Sequence, residues 1–137
     1  RRAQDPFDAE LVAAVRECAD VAVLKVAPLG GVAAVLRLAG ELAMPVVVSG
    51  AMETSIGLAA GIAAACALPD EPLACGLATG ALLAADVVAA PIVPTAGRLA
   101  AMKPVPDADA LAAAAAGVSA AQERRLRRRL AEAWQYR

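Results

Sequence analysis

The first residue here whose type asks for a reason is a lysine inside a hydrophobic run. Lys25 stands in "DVAVLKVAPLGG", which begins at Asp20 and breaks at the glycine pair Gly30 and Gly31. An ammonium group is expensive in a packed interior. Val21, Val23 and Lys25 share one face of the predicted strand by period-two alternation. Lys25 lies near its C-terminal end, where parallel α/β folds build their sites. The stem can lie along the strand while the amine reaches a cleft. The alternative is a strand-end lysine whose head simply reaches water.

Two later stretches repeat the arrangement. "VVVSGAMETS" ends a β-branched run at Ser49, then offers Gly50, Ala51 and the carboxylate of Glu53. Small residues at a strand end let a ligand approach the backbone. Glu53 is a candidate ligand or base, and equally a helix-start residue that favours the helix dipole. "CGLATG" supplies Gly76 and Gly80, whose N–H groups could face a carboxylate or phosphate, although turns need glycine anyway. Gly30 and Gly31 form neither a GxGxxG nor a Walker sequence.

Composition narrows the chemistry. The 137 residues include no histidine, which removes the commonest general acid/base and metal ligand. Lys, Asp, Glu, Cys, Ser or the backbone must do any work. Cys18, Cys66 and Cys75 form no CxxC pair and read as buried free thiols of a reducing cytoplasm. A net charge of −1 argues against a strongly basic nucleic-acid binder. No signal-peptide pattern opens the chain. The apolar stretch at 73–94 is long enough to raise a membrane question, but it is rich in Ala and Gly, contains Asp86 and ends in prolines. No membrane span is expected.

The elements that must position these residues alternate. A helix over "DPFDAELVAAVRECAD" is expected, with Asp5 as N-cap, Pro6 at its first position, and Leu11, Val12, Val15 and Cys18 as its apolar stripe. Strands follow at 20–26, 45–49 and 73–76, the first nearly continuous in apolarity as for a strand covered on both faces. Between them, "GVAAVLRLAGELA" places Val32, Val35, Leu36, Ala39 and Leu42 on one helical face and Arg37 and Glu41 on the other. "SIGLAAGIAAACAL" reads as a helix capped by Thr54 or Ser55. A short helix is expected over "ALLAADVVA", an irregular segment over "APIVPTAGRLAAMKPVP", and a helix over "DADALAAAAAG". The last segment reads as an amphipathic helix docked through Leu126, Leu130 and Ala133/Trp134. Its arginines also suit RNA or an acidic partner. Lys25, Ser49 and Gly76 recur at 24 and 27 residues (25 to 49, 49 to 76), slightly tighter than the roughly 31 residues per unit of an eight-fold barrel. The fold class is α/β on a parallel sheet, and an open doubly wound sheet shows the same local pattern.

The ordered set "LKVAPLGG", "VVVSGAMETSIGL" and "ACGLATG...LLAADVV" resembles the C-terminal part of the o-succinylbenzoate synthase family, menaquinone-pathway enzymes of the enolase superfamily, in its actinobacterial type. The resemblance covers roughly residues 1–112. It implies the last three or so βα units of a TIM-type barrel, with 113–137 as a helical tail. It also implies a cytoplasmic, Mg²⁺-dependent dehydratase acting on a small carboxylate substrate. Lys25 matches the family's sixth-strand lysine, which stabilises an anionic intermediate opposite a second-strand lysine. Ser49, Gly50 and Glu53 lie in the seventh-strand segment near the succinyl side. Gly76 matches the eighth-strand backbone position near a carboxylate.

The departures are equally specific. The family's KxK motif and its metal-binding acids are absent, and Arg1 falls just after the place of the fifth-strand "DES". The expectation is a fragment, inactive alone, without the Mg²⁺ ligands of the full-length parent. An N-succinylamino acid racemase uses the same two lysines and stays open. So does a non-catalytic α/β module that self-associates through exposed strand edges.

Overall fold

The structure, a computed structural model, describes residues 7–70 and 73–134. Helix α1, Ala9–Cys18, starts at Asp8, whose carboxylate accepts from the N–H groups of Glu10 and Leu11. The expected Asp5 cap and Pro6 lie outside the described residues. Strand β1, Ala22–Lys25, runs into a single helical turn, α2, Val26–Leu29. Gly30 and Gly31 end that turn at φ +94° and +127°. Both angles are rare for residues with a Cβ. Helix α3, Val32–Leu42, returns the chain to strand β2, Val46–Ser49, and helix α4, Ser55–Cys66, follows.

β1 and β2 pair in parallel, with Ala22 opposite Val46 and Lys25 opposite Ser49. The third expected strand, 73–76, is reduced to one parallel bridge between Gly76 and Ser49. Leu-Ala-Cys-Gly lacks the β-branched residues that suit a pleated surface. The mixed helix and strand order with a small parallel sheet makes the described chain α/β.

The sheet is covered on one face only. Ala22, Leu24, Val46 and Val48 are buried with Val35, Leu38, Ala39 and Leu42 of α3 and Leu58, Ile62 and Ala65 of α4. Val21 and Val23 are 39% and 61% exposed. Among the described residues β1 is therefore covered on one face only, where two covered faces were expected. Leu38 rather than Leu36 completes the buried stripe of α3, while Arg37 and Glu41 pair at 3.6 Å on its outer side.

Other expectations need correction. The helix over 81–89 does not form. A 3₁₀ turn spans Ala78–Leu82, and Asp86 then leaves the chain's own axis to serve α4. Helices α5, Ala108–Ala116, and α6, Ala120–Trp134, close the described chain. Among the described residues, Leu126 and Leu130 do not dock as expected, being 55% and 68% exposed. Cys18 and Cys66 are exposed rather than buried, and Cys75 is half-buried; all three are free. Among the described residues no helix is long and apolar enough to cross a membrane.

Candidate functional site

The register of the sheet brings Lys25, Ser49 and Gly76 side by side at the C-terminal end of the strands. The Lys25 ammonium donates to Ser49 Oγ at 3.1 Å and to the carbonyl oxygen of Gly50. Both acceptors are neutral, and no carboxylate pairs with Lys25 among the described residues. Its charge is therefore oriented but not neutralised. It stands on the same face as the exposed Val21 and Val23, beside the half-buried Val47 and Ser49.

Gly50 is the hinge of the cluster. Its N–H donates to the Gly76 carbonyl at 2.9 Å, and the Gly76 N–H donates to the Val48 carbonyl at 3.0 Å. A Cβ built on Gly50 would lie 2.6 Å from Thr79 Oγ1 and 3.1 Å from Glu53 Oε2. Contact that close is excluded for a real side chain, so glycine lets a hydroxyl and a carboxylate close on the backbone. Glu53 folds back to accept the Ala51 N–H at 2.6 Å. Met52, at φ +69°, makes the turn that allows this. A non-glycine residue there costs about 1–2 kcal/mol. The carboxylate of Glu53 is thus engaged with its own loop, while the first N–H of α4 goes to Asp86.

Two residues of this region were not singled out from sequence as site residues. Thr79 Oγ1 is buried without a hydrogen-bond partner among the described residues. Asp86 accepts from the Ser55 N–H at 2.9 Å, the Ser55 hydroxyl at 2.7 Å and the Val87 N–H at 2.7 Å. Ser55 is fully buried, and its oxygen accepts the Ile92 N–H at 2.8 Å. Thr54 holds the N-cap position without a side-chain bond, so Asp86 supplies the cap of α4 from 31 residues away. Burial works to raise the Asp86 carboxyl. The bonds from the Ser55 hydroxyl, Ser55 N–H and Val87 N–H outweigh it and hold the group below its ordinary range. The signal in the sequence was a lone acid in an apolar stretch, because such a charge needs partners.

Among the described residues no three His, Cys, Asp or Glu side chains converge on a common point. The residues present do not fit the Mg²⁺ ion that the resemblance implies, and no chemical step of this chain is routed through it.

No protein-family model matches the chain. Individual relatives do. An o-succinylbenzoate synthase from Thermobifida fusca is 60% identical over 99 residues, covering 72% of this chain and 30% of that protein. The synthases of Mycobacterium tuberculosis and Mycobacterium marinum are 51% and 52% identical over 108 residues, each match covering 78% of this chain and 31% of the relative. The chain is related to o-succinylbenzoate synthases. The resemblance to this family is borne out. The chain spans about 30% of the length of the curated relatives it matches, so it corresponds to a portion of a synthase.

Proposed function

We propose that this chain is the C-terminal portion of the (β/α)₈ barrel of an o-succinylbenzoate synthase, a cytoplasmic lyase of menaquinone biosynthesis. Residues 1–112 belong to the barrel and 113–137 form its tail. The observation that carries the reading is Lys25. Its ammonium stands at the C-terminal end of a parallel sheet, on the face that no helix of the described residues covers, and among those residues it bonds to Ser49 Oγ and the Gly50 carbonyl. In barrels the helices pack outside and the opposite strand face points to the interior. Exposure of Val21 and Val23 on the side of Lys25 supports the same assignment, because parallel strands are ordinarily covered on both faces. The remaining strands would cover them.

In that enzyme Lys25 stabilises the anion formed when a proton leaves the carbon beside the substrate carboxylate. Proton transfer itself falls to the lysine of the absent second strand. Ser49 and Gly50 hold the Lys25 amine in place and line the succinyl side with Glu53. The Gly76 position would lie beside a carboxylate without donating to it, since its N–H and carbonyl are taken by Val48 and Gly50. The Mg²⁺ of the parent is held by residues that this chain does not contain.

The test is dehydration of the cyclohexadiene substrate by the chain joined to the upstream portion of a synthase. The expected result is turnover by the joined protein and none by residues 1–137 alone. Lys25→Ala should slow the joined protein by about 10²-fold or more, as for loss of one electrostatic stabiliser. Equal rates for wild type and Lys25→Ala would leave Lys25 a strand-end lysine. Turnover of an N-succinylamino acid in place of dehydration would move the reading to a racemase.

A further inference from the structure

The peptide group between Gly50 and Ala51 meets a charge on each side. Its carbonyl oxygen accepts from the Lys25 ammonium, and its N–H donates to Glu53 Oε2 at 2.6 Å. The two bonds leave opposite edges of one rigid plane, because the amide bond does not rotate freely. Whatever holds the N–H therefore also aims the carbonyl. The Gly50 N–H is already tied to the Gly76 carbonyl at 2.9 Å, so the Glu53 bond fixes the next plane along. A carboxylate is the stronger kind of acceptor for an amide N–H. It also polarises the amide, so that the carbonyl accepts more strongly in turn.

The backbone around Glu53 is shaped for this bond at three places. Met52 takes φ +69°, the left-handed turn that folds the glutamate back over its own loop. Gly57, in the first turn of α4, would place a Cβ 2.7 Å from Glu53 Cβ and 2.8 Å from its Cγ. Those atoms lie at the root of the side chain. Glycine weakens a helix interior, and here it leaves room for the glutamate stem. Gly50 leaves room for the tip, since its own Cβ would lie 3.1 Å from Oε2. Among the described residues Glu53 forms no ion pair, and the first N–H of α4 goes to Asp86. Helix capping therefore does not account for this carboxylate.

We propose that Glu53 is a positioning residue for Lys25: its carboxylate holds the Gly50–Ala51 peptide plane, and the carbonyl of that plane holds the ammonium at the strand end. A direct ion pair would neutralise the lysine. With one peptide group between them, the glutamate orients the ammonium and leaves its charge available. The hold on Lys25 stands on the geometry alone, and its effect on turnover rests on the synthase reading.

Two arms test it. In the 137-residue chain, NMR reads the Ala51 amide and the side chains of the two lysines, Lys25 and Lys103. Glu53→Ala should move the Ala51 amide proton upfield and shift the Lys25 ammonium signal, with Lys103 unmoved and the circular dichroism unchanged. Glu53→Gln keeps an acceptor and should shift both less; it decides the matter if the alanine variant does not fold. Gly57→Ala crowds the stem and should shift the same two signals. In the chain joined to the upstream portion of a synthase, Glu53→Ala should lower kcat about tenfold or more with KM little changed, the size of one charge-assisted hydrogen bond. Glu53→Gln should recover most of that loss, and Glu53→Ala should cost nothing further in a Lys25→Ala background. Three results overturn the proposal: a Lys25 signal that ignores all three substitutions, a raised KM at unchanged kcat, which would put the carboxylate on the substrate, or losses that simply add to that of Lys25→Ala. A joined wild-type protein without turnover would instead refute the synthase reading, and the first arm would still decide the hold on Lys25.

Discussion

Asp86→Ala removes the one side chain that caps α4 among the described residues, and the structure sets the size of the loss. Ser55 is fully buried, and its hydroxyl and N–H both end on the Asp86 carboxylate. Without that acceptor the N–H is orphaned at a helix start, and the hydroxyl keeps only the Ile92 N–H, for which it is itself the acceptor. Hydrogen bonds to a charged group contribute about 1.5–3 kcal/mol each, and loss of an N-cap costs about 1 kcal/mol. These overlap, because one carboxylate makes both. Asp86 is only half-buried, so water can reach the vacated space and solvate the Val87 N–H. Asp86→Ala should therefore lower the unfolding free energy by about 2–4 kcal/mol, read by urea denaturation in the far-UV. Asp86→Asn keeps an acceptor but loses the charge, and should cost about half as much. A loss below about 0.5 kcal/mol for alanine would refute the capping role.

The pH dependence gives a second check. The folded Asp86 carboxyl is held below the unfolded value of about 3.9. A group depressed on folding stabilises the native state above its unfolded pKa, and that contribution disappears as pH falls through the folded pKa. The stability gap between wild type and Asp86→Asn should be constant above about pH 5 and shrink steadily below about pH 4. A gap that stays level throughout acid titration would show that the charge of Asp86 contributes nothing.

Other perturbations test the packing of the site. Gly50→Ala drives a Cβ to within 2.6 Å of Thr79 Oγ1 and should cost about 1–3 kcal/mol, as overpacking does; Gly50→Ala/Thr79→Ala should regain most of it, and simple additivity would place the clash elsewhere. Thr79→Val replaces an unpartnered buried hydroxyl with a methyl of the same shape, so unfolding should become harder by about 1 kcal/mol; a destabilised variant would mean that the hydroxyl has a partner. The open edge of β1 and the exposed Val21 and Val23 should make the isolated chain self-associate in light scattering, less so for Val23→Lys; a monodisperse monomer at all concentrations would count against it.

What was legible in the sequence was whatever is written locally. The β-branched runs and the breaks after them located Lys25 and Ser49 at strand ends, and helical spacing located α3 and α4. Gly76 was found by the same rule, although the segment before it, poor in β-branched residues, makes one bridge rather than a strand. The failures are non-local. "ALLAADVVA" has a helix-like composition, but Asp86 bonds 31 residues back to Ser55, and that tie takes the segment out of a helix. Thr79 matters only because the chain turns it against Gly50. The apolar stripe of α6 was readable, but amphipathicity says which face is apolar and not what covers it.

The exposed face of β1 bears on Lys25 in a way that does not depend on metal ligands. The ammonium is held by two neutral oxygens but open to water. Two unit charges about 4 Å apart interact by about 1 kcal/mol in water and by about 4 kcal/mol at an effective dielectric constant near 20. The same lysine at the same distance from an anion therefore gains roughly 3 kcal/mol when the surface around it is closed. That difference is about 10²-fold in rate. Val21 and Val23 lie on the face that must be covered for this to happen, and no part of the described chain covers them. The lysine is positioned by this chain, through Ser49 and Gly50, but its power to stabilise an anion would be supplied by whatever packs on that face. A water-exposed Lys25 that stabilised an anion as strongly in residues 1–137 as in the joined protein would contradict this, and binding of a carboxylate analogue to each form, wild type against Lys25→Ala, measures it directly.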